Sequence, residues 1–175
     1  MTKHVNEKLS LTLDWCNWNK LSLNPDKSEF MVITNKIINF IPTLYIGQDE
    51  IKWATSFKYL GVHIDEKLKH SKQIDVTKTK LTQICGVSFR LKNFLNIRAA
   101  RNLYFACVYS TLCYCLCVWG GPLLCTRRFD QINSIHDRIV RNIFGVFYPG
   151  EECLFRTVGL LKLPELYKYK IAMYM

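Results

Sequence analysis

The chain has 175 residues, enough for one ordinary hydrophobic core or two small ones. Its content of 49% hydrophobic and 13% aromatic residues excludes a disordered tail. Its formal net charge of +10 is unevenly spread, because residues 1–65 carry seven lysines against seven acids, whereas residues 66–175 carry 17 lysines and arginines against seven acids. This basic rear half favours a polyanionic partner such as nucleic acid, since neutralising phosphates releases counterions; a basic surface that only maintains solubility is the alternative.

The eight cysteines lie mostly in apolar sequence, without the spacing of a small disulfide-bonded domain. They therefore predict reduced thiols in an intracellular protein. The run "CYCLC" at residues 113–117 raises the alternative of a metal site. Its spacing of two differs from that of zinc knuckles and no histidine is near, so buried small hydrophobic residues are favoured over metal ligands.

Neither a signal peptide nor a membrane span is expected. The N-terminal "MTKHVNEKLS" is polar and alternates in charge. Residues 103–124 form an uncharged run of 22, which is long enough to span a bilayer. Its Tyr, Cys and Ser content and the "GGP" near its end favour a buried core helix instead.

The front of the chain predicts a helix packed on a small antiparallel sheet. Val5, Leu9, Leu13 and Cys16 recur every three or four residues, as on one helix face, and "NPD" at residues 24–26 is a turn signature. Short strands are expected in "FMVIT", "TLYIG", "EIKWA" and the run "FKYLGVHID", which Gly61 interrupts. Trp15 and Trp18 are expected to pack the helix onto the sheet.

From Ser71 the hydrophobic period becomes helical. A second helix is predicted from about Ile97 to about Trp119, where "GGP" ends it, a third up to the stop signal Gly145, and a last one after Pro164. Basic residues are interspersed along the helix that starts at Ser71. His63, His70 and His136 receive no functional assignment, and His136 in particular is expected at the surface.

These segments resemble a known family. The stretches "LDWCNWNKLSLNPDKSEFMVIT" and "FKYLGVHIDEKLKH", followed by "YCLCVWGG", "IHDRIVRNIFGV" and "GLLKLPELYKYKIAMYM", are similar in order and spacing to the reverse transcriptases of non-LTR retrotransposons, the jockey-like group most of all. The resemblance runs from about Lys8 to the end of the chain, and the ordered series carries it rather than any single piece.

The resemblance implies an α+β fold in three parts. Residues 1–65 would be the C-terminal part of a polymerase palm, with "LNPDKSE" as motif D and "KYLGV" as motif E, the primer grip. Residues 66–145 would form a mainly helical, thumb-like bundle, and residues 146–175 the helical region that follows. In the grip, Gly61 would let the backbone approach the terminal sugar-phosphate of the primer closely.

The resemblance also implies site residues. Lys27 matches a motif D lysine that can act as general acid toward the leaving pyrophosphate. Contacts with the nucleic acid are expected from Tyr59, Leu60, Gly61, Lys72, Lys78, Lys80, Arg90, Lys92, Arg98 and Arg101. The alternative for each lysine and arginine is an ordinary solvated side chain.

The family's chemistry is two-metal phosphoryl transfer, with Mg²⁺ held by motif A and motif C carboxylates. No adjacent Asp-Asp occurs in this sequence. The pairs Asp49-Glu50 and Asp65-Glu66 are interpreted as surface-turn acids. No metal or cofactor is therefore expected in this chain, and the catalytic half is expected before Met1 or to have been lost.

The function implied is a fragment of an RNA-directed DNA polymerase that supplies the primer grip, binds an RNA/DNA template–primer duplex and is inactive alone. Its expected partners are that duplex and the missing N-terminal polymerase half, without a membrane, and its expected location is the cytoplasm and nucleus. The alternative is a domesticated or relic helical interaction module without a polymerase or nucleic-acid role.

Overall fold

The computed structural model describes residues 2–36, 40–121, 127–149 and 153–175. The chain divides into two compact units, Met1–Leu68 and Lys69–Met175. The expected segments 66–145 and 146–175 fall almost entirely within the second unit. The assignment of palm, thumb and following region to these segments stays a prediction.

Unit 1 begins with helix α1, Thr2–Trp18. The predicted face of Val5, Leu9, Leu13 and Cys16 is confirmed, because all four side chains are buried or half-buried. The helix ends where Lys20 adopts a left-handed backbone (φ 56°) and the Leu21 N–H bonds the Cys16 carbonyl at 2.9 Å, as in a Schellman motif.

The strands of unit 1 are short and form three separate pairs. They are β1 Glu29–Phe30, β2 Tyr45–Ile46, β3 Asp49–Glu50, β4 Lys52–Trp53, β5 Ser56–Tyr59 and β6 Val62–Asp65. The pairs β2/β3 and β5/β6 are antiparallel hairpins, whereas β1 and β4 pair in parallel. The α+β class is confirmed, but the expected single antiparallel sheet is divided.

Two expectations for unit 1 are wrong. The strand predicted over residues 30–34 stops after Phe30, because residues 31–34 do not enter a strand pairing and strands are defined by such pairing. Trp15 and Trp18 do not pack the helix onto the strands. They are 57% and 86% exposed, so both side chains remain largely in solvent.

A side chain that the sequence did not single out joins α1 to β2. The Asn6 amide donates to the Thr43 carbonyl at 3.3 Å, and its Oδ1 accepts from the Tyr45 N–H at 3.2 Å. Below this contact, Leu44, Ile46 and Ile51 form the small core of unit 1 against the apolar face of α1. Beside the core lies an apolar cavity of about 910 Å³.

The regular structure in the described part of unit 2 consists of helices. Its helices are α2 Ser71–Leu91, α3 Ile97–Leu103, α4 Ser110–Cys113, α5 Leu116–Trp119, α6 Arg127–Phe144, α7 Leu154–Thr157 and α8 Leu163–Ala172. The predicted start at Ser71 and the stop at Gly145 are confirmed. Within this described part, no helix is both long enough and apolar enough to cross a membrane.

One hydrophobic core unites the helices of unit 2. Ile74 and Leu81 of α2 are almost completely buried with Ile132, Ile139 and Ile143 of α6. The region after Gly145 belongs to the same core. Its contribution is Leu154, Val158, Leu160, Leu163 and Leu166.

The helix predicted between Ile97 and Trp119 is interrupted twice. A π-helical turn, Tyr104–Tyr109, follows α3. The helix then ends after α4, and Cys115 adopts a left-handed backbone conformation (φ 51°) before α5 begins. The Trp119 indole donates to the Tyr114 carbonyl at 2.8 Å, which satisfies an acceptor at the break. The cysteines of "CYCLC" therefore stand on both sides of a break and are half-buried.

The π turn keeps one row of side chains in the core. Tyr104, Val108 and Leu112, which precede the interruption at Cys115, are spaced by four residues and are almost completely buried. In a straight α-helix, each four-residue step rotates the side chain by about 40°, so the row would drift away from the core. A π turn contains more residues per turn, and this reduces the drift.

The expectation that His136 lies at the surface is wrong. Its side chain is fully buried on the core face of α6, where it shares a hydrogen bond of 3.0 Å with the Tyr104 hydroxyl. Its Nδ1 is buried without a hydrogen-bond partner among the described residues. Burial lowers the pKa of His136 from 6.5 to about 4 and raises the pKa of Tyr104 above its ordinary value.

We expect Leu112→Ala to lower the free energy of unfolding by about 2–5 kcal/mol, because the Leu112 side chain is completely buried and its removal leaves a cavity. Urea denaturation of the full chain measures the change. Leu161→Ala is the matched control, since Leu161 is 40% exposed and should cost much less. Equal losses for the two variants would contradict the packing of this core.

A second prediction concerns pH. The folded-state pKa of His136 is depressed, so its contribution to stability is present above pH 6.5 and is lost as the pH falls toward 4. We expect the free energy of unfolding to decrease by about 2 kcal/mol between pH 7 and pH 5 from this residue alone. Urea denaturation at both pH values measures it. His136→Gln, which cannot titrate, should remove this decrease, and a decrease of unchanged size in that variant would contradict the assignment.

Candidate nucleic-acid interface

The motif expected to be the primer grip forms a tight hairpin. Lys58 pairs with His63 and Tyr59 with Val62, so Leu60 and Gly61 are the two residues of the turn. The expectation that Gly61 interrupts a strand is therefore corrected, because the run is two strands and Gly61 is the second turn residue. Its φ of 85° is one that glycine adopts without strain.

Leu60 shares this left-handed conformation, with φ at 45°. Two consecutive positive φ angles are typical of a type I′ turn, whose first position favours Asn, Asp or Gly rather than leucine. The leucine is 75% exposed and the neighbouring Tyr59 is 59% exposed. The tip of the hairpin thus exposes a leucine and a tyrosine, and the leucine has a positive φ that leucine disfavours. Backbone strain of this type is concentrated at functional sites.

Lys27 lies in a well-defined turn. Residues Pro25–Lys27 form a single 3₁₀ turn capped by Asn24, whose Oδ1 accepts from the Lys27 N–H at 3.3 Å. The predicted "NPD" turn is thereby confirmed. The Lys27 side chain is exposed, and its catalytic assignment stays a prediction.

Part of unit 2 is a basic stretch without acids. Residues 76–129 contain eight lysines and arginines and no aspartate or glutamate. Of these eight, Arg128 forms an ion pair with Asp75 at 3.7 Å. The other basic side chains described in this stretch therefore keep an unneutralised charge for a phosphate-bearing partner.

Three basic residues of α2 lie within about 80° of one another around the helix. Lys72 and Arg90 are separated by 18 residues, or five full helical turns, and so project from the same side. Lys80 lies about 80° around the helix from them. All three are exposed. Together, these three side chains define what we call the outer basic side of α2.

Three other predicted residues contact the protein itself. Lys78 Nζ donates to Gln131 Oε1 at 2.8 Å and thereby joins α2 to α6. Lys92 Nζ lies 4.4 Å from the centroid of the Phe89 ring. Arg101 donates to the Val158 carbonyl at 2.9 Å. Arg98 is exposed on α3.

The described residues do not fit a magnesium site. Among them, no three His, Cys, Asp or Glu side chains come close enough together to hold a metal ion. Asp49 and Glu50 form β3 and are exposed, which agrees with their interpretation as surface acids. No catalytic step is therefore assigned to these carboxylates.

Two basic residues, Arg128 and Arg138, were not predicted from the sequence. Arg128, which pairs with Asp75, belongs to the acid-free stretch and could have been found by counting acids along the chain. Arg138 could not, because it becomes relevant only where α6 packs beside α2 and lines a groove there with Phe89. A linear sequence does not indicate which helix faces meet.

Comparison with curated proteins identifies three similar chains, all from Drosophila melanogaster. The RNA-directed DNA polymerase from mobile element jockey is 25% identical over 170 residues, which cover 94% of this chain and 18% of that protein. The probable RNA-directed DNA polymerase from transposon X-element is 26% identical over 136 residues, 75% of this chain and 14% of that protein. The resemblance to jockey-like reverse transcriptases is confirmed.

The third similar protein is the probable RNA-directed DNA polymerase from transposon BS, 23% identical over 167 residues, which cover 92% of this chain and 18% of that protein. The chain thus spans less than a fifth of the length of each of these jockey-like polymerases. No family model matches the chain. No solved structure matches it either.

We expect Leu60→Asn to stabilise the β5/β6 hairpin by roughly 1 kcal/mol, because Asn tolerates the left-handed conformation better than leucine. Slower amide hydrogen exchange in β5 and β6 measures the effect. Leu60→Val should do the opposite, since a β-branched residue is strained at positive φ. Faster exchange in the Asn variant than in the Val variant would contradict the type I′ turn.

Proposed function

We propose that this chain is a segment of an RNA-directed DNA polymerase of a non-LTR retrotransposon, where it grips the primer and binds the template–primer duplex. The observation that carries the proposal is the similarity to the jockey polymerase over 94% of the chain. A similarity that covers both units supports a role for the whole segment within a longer polymerase.

The β5/β6 hairpin supports the role of primer grip. Its tip presents Tyr59 and Leu60 to solvent, and the turn at Gly61 has no side chain there to keep a ligand from the backbone. A sugar-phosphate chain end could therefore lie against the turn backbone while Tyr59 contacts the sugar. In this role, the strained turn fixes the position of the primer end.

The outer basic side of α2, together with Arg98, supports duplex binding. Its side chains are exposed, and Lys80, Arg90 and Arg98 belong to the stretch 76–129, which contains no acid. Phosphate contacts of this type position a duplex without reading its sequence. The proposed partner is an RNA/DNA template–primer duplex, bound with little sequence preference and with strong dependence on salt.

We further propose that this chain alone does not polymerise nucleotides, because it contains no adjacent Asp-Asp and its described carboxylates do not gather in a metal-binding group. Lys27 would contribute only beside the metal-binding part of an intact polymerase. There its ammonium group could protonate or electrostatically stabilise the leaving pyrophosphate.

Replacing Lys80 and Arg90 with Gln tests the duplex contact. Each phosphate contact contributes about −0.9 to the slope of log affinity against log salt, so the double variant should flatten that slope by roughly two units on any template–primer sequence. Fluorescence anisotropy with a labelled RNA/DNA hybrid, titrated at several salt concentrations, measures the slope.

The matched control replaces Arg156 and Lys168 with Gln, which removes the same charge from exposed positions on α7 and α8. This control should change the slope much less. Equal changes in both variants would mean that general charge attracts the duplex, and no binding at low salt would favour the alternative of an interaction module without a nucleic-acid role.

A further inference from the structure

A groove of about 550 Å³ lies between α2 and α6. Its lining consists of Thr82, Cys85, Gly86, Phe89, Ile135, Arg138 and Asn142. This volume is within the range of pockets that bind small organic groups. None of the lining residues is acidic. A second cavity of unit 2, of about 570 Å³, differs in this respect, because Asp137 and Glu165 line it beside its basic residues.

The groove combines an aromatic wall with positive charge. Phe89 lines the groove and is 57% exposed, and Lys92 Nζ lies over its ring, 4.4 Å from the centroid. Arg138 is exposed on α6 and lines the same groove. Exposed aromatic rings beside basic side chains are the combination by which proteins bind the bases and phosphates of single-stranded nucleic acids.

A hydrogen-bonded side chain connects the two helices at the groove. The amide of the lining residue Asn142 donates to the Cys85 carbonyl at 3.4 Å and to Ser88 Oγ at 3.3 Å, so it joins α6 to α2 at the groove. At Gly86 the groove is open, because an added Cβ would meet no atom within 4 Å. A preformed and open groove can accept a flat ring without rearrangement of the helices.

We propose that this groove binds one unpaired nucleobase of a single-stranded nucleic acid, stacked on the face of Phe89 that Lys92 does not cover, with the flanking phosphates at Lys92 and Arg138. The inference rests on the proposed function and adds a second contact to it, distinct from the duplex contact of the outer basic side. The bases of a duplex are already stacked on their neighbours, so an aromatic wall inside a groove selects unpaired bases.

Gly86→Leu provides the test. A leucine at this position fills the groove, leaves the charge unchanged and has a higher helix propensity than glycine, so the variant should fold. We expect it to weaken the binding of a fluorescein-labelled single-stranded oligouridylate by roughly tenfold, as for the loss of one stacked base. The salt slope and the affinity for an RNA/DNA duplex should stay as in the parent chain.

Three controls separate stacking from other effects. Phe89→Leu, which retains an apolar side chain but removes the aromatic ring, should weaken oligouridylate binding to a similar extent. An abasic oligonucleotide of equal length and charge should bind the parent chain more weakly and should be unaffected by Gly86→Leu. Gln83→Leu adds the same side chain to an exposed position of α2 that does not line the groove and should change nothing.

The outcomes distinguish the two proposals. Unchanged oligouridylate binding in Gly86→Leu would overturn the groove assignment, and so would equal binding of the abasic oligonucleotide or an equal loss in Gln83→Leu. If the Lys80 and Arg90 variant still flattens the salt slope for the duplex, the proposed function stands without the groove. A deoxythymidylate strand in place of oligouridylate shows whether the groove accepts DNA and RNA alike.

Discussion

The packing of α2 against α6 is the contact on which the helical unit depends. Ile74 and Leu81 on one helix and Ile132 and Ile139 on the other are removed from solvent, and the helices that follow complete the same core. Burial of one face of each helix fixes which side chains remain outside. The outer basic side and the groove beside Phe89 are therefore both consequences of a single apolar contact. A change that rotated α2 would displace both at once.

The parts of the fold that could be predicted are those with a local signal. The apolar residues of α1, α2 and α6 recur with the helical period, and this period is visible within one or two turns of sequence. Gly145 marked the end of α6 for the same reason, since a stop signal acts on its own neighbours. The excess of positive charge in the rear half was also visible, because composition does not depend on the fold.

The rest depended on partners far away in sequence. His136 has polar neighbours along the chain, which suggested a surface position, but Tyr104 lies 32 residues earlier and meets it in the core. Lys78 was grouped with the other basic residues of α2, yet its direction is decided by Gln131 on another helix. The hairpin turn was missed because leucine is an unusual residue at positive φ, so the sequence lacked the Asn-Gly signal of such a turn.

The π turn, Tyr104–Tyr109, has a consequence for alignments of this region. Because a π turn contains more residues than an α-helical turn, a relative with a regular helix here would be shorter by about one residue over the same distance. An ungapped alignment with such a relative would place buried residues of α4, such as Leu112, opposite solvent-facing ones. A one-residue gap near this turn would restore the correspondence of the buried positions, and apparent mismatches on its C-terminal side would then disappear.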